Sequence, residues 1–390
     1  MLATEPSDEQ ALLGMTGLLE SLGRSGELEA YFDAARAAGT GQALSSLGQA
    51  IARRECGDFA GALSAIERAV SILPVGTWHQ MRGELADRAG DPDTAFAAFA
   101  QMNAADAAAH PDAPEGVRRF RASLDASLAA LDRPVRVEPA GEREPPLFLV
   151  GFPRSGTTLL DTFLLGHPGI EVHEERPFLD HAAALLEDGA TEPGAAEVAH
   201  MRAAYWRALD AESTRRDGLH IDKFPLASAR ALLIHQLFPD ARFVLALRHP
   251  CDVVLSCFMT RFRLNWGVAA FLSLEDAAKT YARVMRLWIA SRERLGLAVL
   301  EVRYEEFVAD PARVIGQVMD FAGLEDHPAM LDHQFTARRR GLITTPSYAQ
   351  VLKPVTGQAV GRWKRYRAQI EPALPILEPW CAKFGYSIDD

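Results

Sequence analysis

Between residues 9 and 131, apolar positions recur at helical spacing in a background rich in Ala, Leu, Arg and Glu, with no alternating pattern to interrupt them. This stretch is predicted to be all helical. The periodicity lapses over residues 133–144, where Pro, Gly and charges of both signs intervene, and a junction there divides the chain into domains at 1–140 and 141–390. Beyond it the pattern changes. Short apolar runs at 147–150, 170–173, 220–221, 242–247 and 297–303 read as strands. Amphipathic stretches between and after them, at 157–165, 178–186, 195–209, 227–237, 252–262, 274–295 and 311–323, read as helices. Such alternation predicts an α/β domain: a parallel sheet covered by helices on both faces, with its ligand cleft beyond the carboxyl ends of the strands.

The helical stretch carries an internal echo. Gly57-Asp58-Phe59 is matched by Gly90-Asp91-Pro92 at an offset of 33, with Ala62 falling on Ala95 and Ile66 on Phe99. That period, with Gly-Asp at the turn and a small residue where paired helices cross, resembles the tetratricopeptide repeat over two or three degenerate units. An irregular helical bundle is the alternative. Repeats of this type offer a concave surface to a peptide or to a second copy of the chain. The resemblance therefore suggests a polypeptide acceptor or a homodimer as partners.

Composition narrows the function classes. With 48% hydrophobic and 24% charged residues the chain is ordinary globular material, and its net charge of −11 argues against general nucleic-acid binding. Any anion site must then be local. The first ten residues hold acidic groups and no apolar run, and no stretch approaches the roughly 18 to 20 apolar residues of a membrane helix, so a cytoplasmic protein without membrane partners is expected. The four cysteines show neither a CxxC pair nor zinc spacing, and read as unpaired packing residues.

Chemistry concentrates at Gly151-Phe152-Pro153-Arg154-Ser155-Gly156-Thr157-Thr158, which joins the first strand to the first helix of the α/β domain. A strand, a tight glycine loop and a helix start direct backbone N–H groups and the positive end of a helix dipole at one point, which makes an anion cradle. The spacing G-x-x-x-x-G is that of a nucleoside-triphosphate loop. Thr157, however, stands where that motif places its lysine. The charge lies instead at Arg154, and Thr157 and Thr158 supply hydroxyls. A second grip follows at Arg248, on which the strand at 242–247 ends, with Ser256 about two helical turns further on. A local ion pair of Arg248 with Asp252 is the structural alternative.

Two separated phosphate grips without a triphosphate lysine resemble the 5′-phosphosulfate loop and 3′-phosphate motif of sulfotransferases that use 3′-phosphoadenosine 5′-phosphosulfate (PAPS). The resemblance spans residues 146–386 and points to the tyrosylprotein-sulfotransferase-like bacterial branch. It implies a P-loop-like sulfotransferase fold and transfer of a sulfonyl group to an acceptor hydroxyl without a catalytic metal. In the run His173-Glu174-Glu175-Arg176 it makes Glu175 the base, with Glu174 the second candidate. His173-Glu174 also begins an H-E-x-x-H zinc motif, but Pro177 replaces the second histidine. Lys223, after Ile221-Asp222, is similar to the family lysine that stabilises the leaving phosphate together with Arg154. Tyr304 is then a contact to the donor nucleotide, and Ser347 and Arg362 are phosphate ligands on a C-terminal loop. Ser155, Gly156, Thr157 and Thr158 hold the 5′ end; Arg248 and Ser256 hold the 3′-phosphate. One departure is Thr260, where some relatives carry arginine, with Arg261 or Arg263 as compensating candidates.

Two other readings stay open on the residues alone. One is an ATP-dependent P-loop phosphotransferase, which the missing lysine disfavours. The other is a catalytically silent repeat scaffold, which has no need of Glu175 and Lys223 beside both grips. The acceptor, whether a peptide tyrosine, a glycan or a small alcohol, is not legible in the sequence.

Overall fold

The computed structural model describes residues 8–21, 24–39, 41–135, 137–186, 193–215, 217–265, 267–340 and 354–389. The first part is helical as expected. Its helices are α1 (Glu9–Ser21), α2 (Leu28–Ala37), α3 (Gln42–Glu55), α4 (Phe59–Ile66), α5 (Val75–Ala89), α6 (Pro92–Ala109) and α7 (Ala113–Ala130). No strand precedes Leu147 among the described residues. The sequence echo has a structural counterpart. Gly57 and Gly90 both take left-handed backbone, φ 78° and 82°, and the aspartate after each caps the next helix, Asp58 accepting from Gly61 N and Asp91 from Thr94 N. Ala62, Ala95, Ile66 and Phe99 are all buried. Two helix hairpins, α3–α4 and α5–α6, thus repeat one turn, one cap and one pair of core positions.

The second part is a five-stranded, all-parallel sheet in the order β2-β3-β1-β4-β5, built from β1 (Leu147–Gly151), β2 (Ile170–Glu174), β3 (Leu219–Lys223), β4 (Arg242–Leu247) and β5 (Ala298–Arg303). β1 lies at the centre and is buried along its whole length, which is why it reads as an unbroken apolar run. Around the sheet pack α8 (Thr157–Leu164), α9 (Phe178–Ala183), α10 (Ala195–Glu212), α11 (Ala231–Leu237), α12 (Pro250–Phe258), α13 (Leu274–Leu295), α14 (Tyr304–Ala309) and α15 (Pro311–Ala322). Every expected strand is present. The helix expected at 227–237 is instead a 3-10 turn, Pro225–Arg230, followed by α11. α12 begins two residues earlier than expected, with Pro250 pre-set in its first turn, and ends earlier, at Phe258. No helix among the described residues is long and apolar enough to cross a membrane.

The two parts share a core. Phe99 and Met102 of α6 and Val117 and Leu124 of α7 belong to the same buried cluster as Phe148, Phe243 and Trp288 of the α/β part, while Leu28, Phe32, Leu47 and Ile51 form a separate core among α1–α4. Phe96 stacks on Phe258 with ring centroids 4.8 Å apart, and Asn103 Nδ2 donates to Phe258 O over 2.9 Å at a buried site. Truncating a packed aromatic at such a seam costs roughly 3–5 kcal/mol. The chain junction at 133–144 therefore lies beside a continuous interior, and the helical part is held in fixed register against the sheet.

Candidate active site

The loop after β1 is shaped by its backbone. Gly156 has φ 96°, and a Cβ there would lie 2.6 Å from Tyr304 Cδ2, so both the turn and the packing require glycine. Arg154 is also left-handed at φ 72°; with Glu175, at φ 50°, it makes up the non-glycine residues of positive φ among those described. Both are candidate site residues, and strained backbone held in place by its surroundings collects at such sites. Arg154 Nε donates to Ser256 Oγ over 3.2 Å, which joins the loop to α12. Burial, aided by the neighbouring guanidiniums of Arg248 and Arg362, pulls the Arg154 pKa down to about 10, so the group remains charged at neutral pH. Ser155, Thr157 and Thr158 are buried at the loop and the first turn of α8.

Arg248 follows β4 and is buried. Its Nη1 donates to Arg154 O over 3.2 Å, its Nη2 donates to Ala359 O, and its guanidinium lies 4.8 Å from the Tyr304 ring centre. Among the described residues its buried Nε has no hydrogen-bond partner. Asp252 is 3.7 Å from Arg248, too far for a tight pair. Its oxygens instead accept from Gly361 N and Trp363 N, each over 2.8 Å. Asp252 therefore seats the C-terminal turn that carries Arg362. These groups line a cleft of about 890 Å³ with Arg154, Gly156, Thr157, Thr158, Arg248, Ser256, Tyr304 and Arg362 on its walls. The cleft also contains Phe59, Asp87 and Arg88 of the helical part and Arg365.

On the other side of the loop the charge balance reverses. Parallel pairing sets Leu149 beside Lys223 and Lys223 beside Glu174. Lys223 is fully buried (0% exposed), with Nζ 2.7 Å from Glu174 Oε1, 3.2 Å from Glu175 Oε1 and 3.4 Å from Asp161 Oδ2. Burial would lower the ammonium's pKa, but the three carboxylates outweigh it and hold the pKa above its ordinary value. Glu175 N donates to Lys223 O over 2.7 Å, so its left-handed turn is tied to the end of β3. The side chain of Glu175 is 39% exposed, against 14% for Glu174. Glu175 thus faces solvent while Glu174 is committed to the lysine.

Residues 145–328 match the model of the sulfotransferase family. The α/β part of this chain is similar to that family over this segment. Similar proteins include the protein-tyrosine sulfotransferase 1 of Danio rerio, 23% identical over 262 residues that cover 62% of this chain and 72% of that protein. An uncharacterized protein of Aquifex aeolicus is 24% identical over 256 residues, 60% of this chain but only 32% of its own length. Among solved structures, the sulfotransferase domain of the Synechococcus PCC 7002 olefin synthase is similar at 24% identity and a TM-score of 0.43, covering 66% of this chain and 100% of that one.

In the α/β part, Arg154, Gly156, Thr157, Thr158, Arg248, Ser256, Tyr304 and Arg362 meet at one cleft that Ser155 does not line, whereas Glu175 and Lys223 meet each other beside it. Ser347 lies outside the described residues. Arg261 does not reach the cleft. It forks onto Asp106 at 2.8–3.1 Å and reaches Thr77 Oγ1 at 3.0 Å, which docks the helical part, while Thr260 Oγ1 bonds back to Ser256 O. Arg263 is exposed. Cys251, Cys257 and Cys381 are unpaired and buried, as expected, with the Sγ atoms of Cys251 and Cys381 4.0 Å apart, whereas Cys56 is unpaired but exposed. Sequence reading missed Asp161, whose only signal was a lone acid in an otherwise apolar helix. It also missed Asp87 and Arg365, for which there was no signal.

Proposed function

We propose that this chain transfers the sulfonyl group of PAPS to an acceptor hydroxyl. The observation that carries the reading is the convergence of Arg154, Arg248, Ser256 and Arg362 on one cleft at a lysine-free phosphate loop. An unpartnered, buried Arg248 N–H and clustered guanidiniums in a chain of net charge −11 suit a ligand bearing two separated anionic groups. When bound, PAPS supplies an electrophilic sulfur and a good leaving group, adenosine 3′,5′-bisphosphate.

The loop amides of residues 155–158 and the Arg154 guanidinium hold the 5′ end, and Arg248 and Ser256, helped by Arg362 from the C-terminal turn, grip the 3′-phosphate. Glu175 is the base because its carboxylate is accessible and Lys223 orients it. It takes the acceptor's proton as the new O–S bond forms and the S–O bond to phosphate breaks. Lys223, kept protonated by its three carboxylates, places a fixed positive charge beside that reaction. The products are a sulfate ester and the bisphosphate. A radiolabelled-sulfonate transfer assay from PAPS onto a cell lysate, fractionated by acceptor size, tests this. Label on one acceptor fraction is expected; ATP hydrolysis without sulfonate transfer contradicts it.

A further inference from the structure

We infer that the helical part is a working wall of the donor site, and that Asp87 is the positioning residue through which it sets Arg362. The inference rests on the donor reading above and extends it to a region outside the matched family segment, residues 145–328.

Asp87 sits in the last turn of α5. A carboxylate there opposes the helix dipole, and burial adds a desolvation cost, so the position is unfavourable unless strong donors meet it. They come from the C-terminal turn, more than 270 residues away in sequence. Arg362 lays a two-point fork on Asp87, Nε to Oδ1 at 3.3 Å and Nη2 to Oδ2 at 2.9 Å. Arg365 Nη2 reaches Oδ1 at 3.2 Å, and its Nη1 donates at 3.3 Å to Asp87 O, which also accepts from Gly90 N over 3.2 Å. Tyr366 OH donates to Oδ1 over 2.6 Å.

The fork fixes the plane of the Arg362 guanidinium and leaves Nη1 for a ligand oxygen. The same turn hangs from Asp252 at Gly361 and Trp363, so Arg362 is located from both sides of the cleft. A guanidinium set in advance loses less freedom when it meets a phosphate, which is an affinity gain specific to that phosphate. Arg88 and Phe59 line the cleft beside Asp87, with the Arg88 guanidinium 5.8 Å from the Phe59 ring centre. Among the described residues the cleft wall thus carries five arginines and the single carboxylate of Asp87. Asp87 orients two of those arginines without neutralising the site.

Full-length protein titrated with adenosine 3′,5′-bisphosphate and with adenosine 5′-monophosphate gives a ratio of affinities that reads the 3′-phosphate grip. Asp87→Asn is expected to lower that ratio about tenfold and Asp87→Glu to restore most of it. Tyr366→Phe, which keeps the carboxylate and its charge, is expected to lower it about threefold and carries the test should Asp87→Asn not fold. Arg121→Gln breaks a docking contact to Asp276 outside the cleft and is expected to leave the ratio unchanged. An unchanged or raised ratio in Asp87→Asn, or an equal fall in Arg121→Gln, overturns the inference. A wild-type protein with no preference for the bisphosphate removes the donor reading itself, and the inference with it.

Discussion

On one side of the loop at Gly151 the guanidiniums of Arg154, Arg248 and Arg362 crowd together with few anions between them; on the other, Lys223 is buried against Asp161, Glu174 and Glu175. Both regions sit at the carboxyl edge of the same parallel sheet, the first after β1 and β4 and the second at the ends of β2 and β3. The first has an excess of positive charge that a doubly anionic donor completes. The second has an excess of negative charge, which keeps the lysine protonated and leaves the Glu175 carboxylate partly exposed. Neither arrangement is a good stability device, because buried charge costs more than apolar packing of the same volume. Their juxtaposition is therefore best understood as chemistry.

Substitutions can break this contrast at its strongest point first. Glu175→Gln is expected to slow sulfonate transfer about 10²- to 10⁴-fold, the usual contribution of a positioned base, with bisphosphate affinity retained. Single-turnover transfer and calorimetric titration separate the two, and unimpaired turnover would move the base to Glu174. Lys223→Met strands the carboxylates of Asp161 and Glu174 in the interior and is expected to cost about 3–5 kcal/mol of stability, measured by urea unfolding. A loss below about 1 kcal/mol would mean that the acidic group is solvated. Arg248→Gln removes charge-assisted contacts from the opposite region and is expected to weaken bisphosphate binding about 10- to 100-fold while leaving urea stability near wild type. Equal losses in both assays would erase the distinction between the two regions.

A pH-dependent effect lies on the back face of β3. Asp222 is buried, with Tyr205 OH on Oδ2 at 2.7 Å and no partner on Oδ1; burial raises its pKa to about 7 in spite of the Tyr205 bond. A carboxyl whose folded pKa is raised holds its proton more tightly when folded. Its stabilisation is full below the unfolded value of 3.8 and is lost as pH rises through about 7. Asp222→Asn is thus expected to stabilise the protein at pH 8 relative to pH 4, by at most about 4 kcal/mol. Thermal melts at the two pH values check this, and equal shifts at both would show that Asp222 is ionised throughout.

Legibility in the sequence followed contiguity. The five strands and the glycine loop could be read because each is specified within a few residues: an apolar run for a buried parallel strand, and a glycine with no alternative at φ 96°. Arg248 and Ser256 share one strand–helix unit and were visible for the same reason. The end of α12 was not, because Phe258 and Arg261 are fixed by Asn103 and Asp106 of α6. Asp87 was the least legible residue. Its role depends on a turn nearly 280 residues away and on packing between two parts that local periodicity treats as independent.

The central claim is that the cleft is built for a nucleotide with a 3′-phosphate, and not for a triphosphate. Calorimetric titration of the full-length protein with adenosine 3′,5′-bisphosphate and with magnesium ATP tests it most directly. The account predicts that the bisphosphate binds at least about tenfold more tightly, a difference of about 1.4 kcal/mol or more. Magnesium ATP binding as tightly as the bisphosphate, or more tightly, would contradict it.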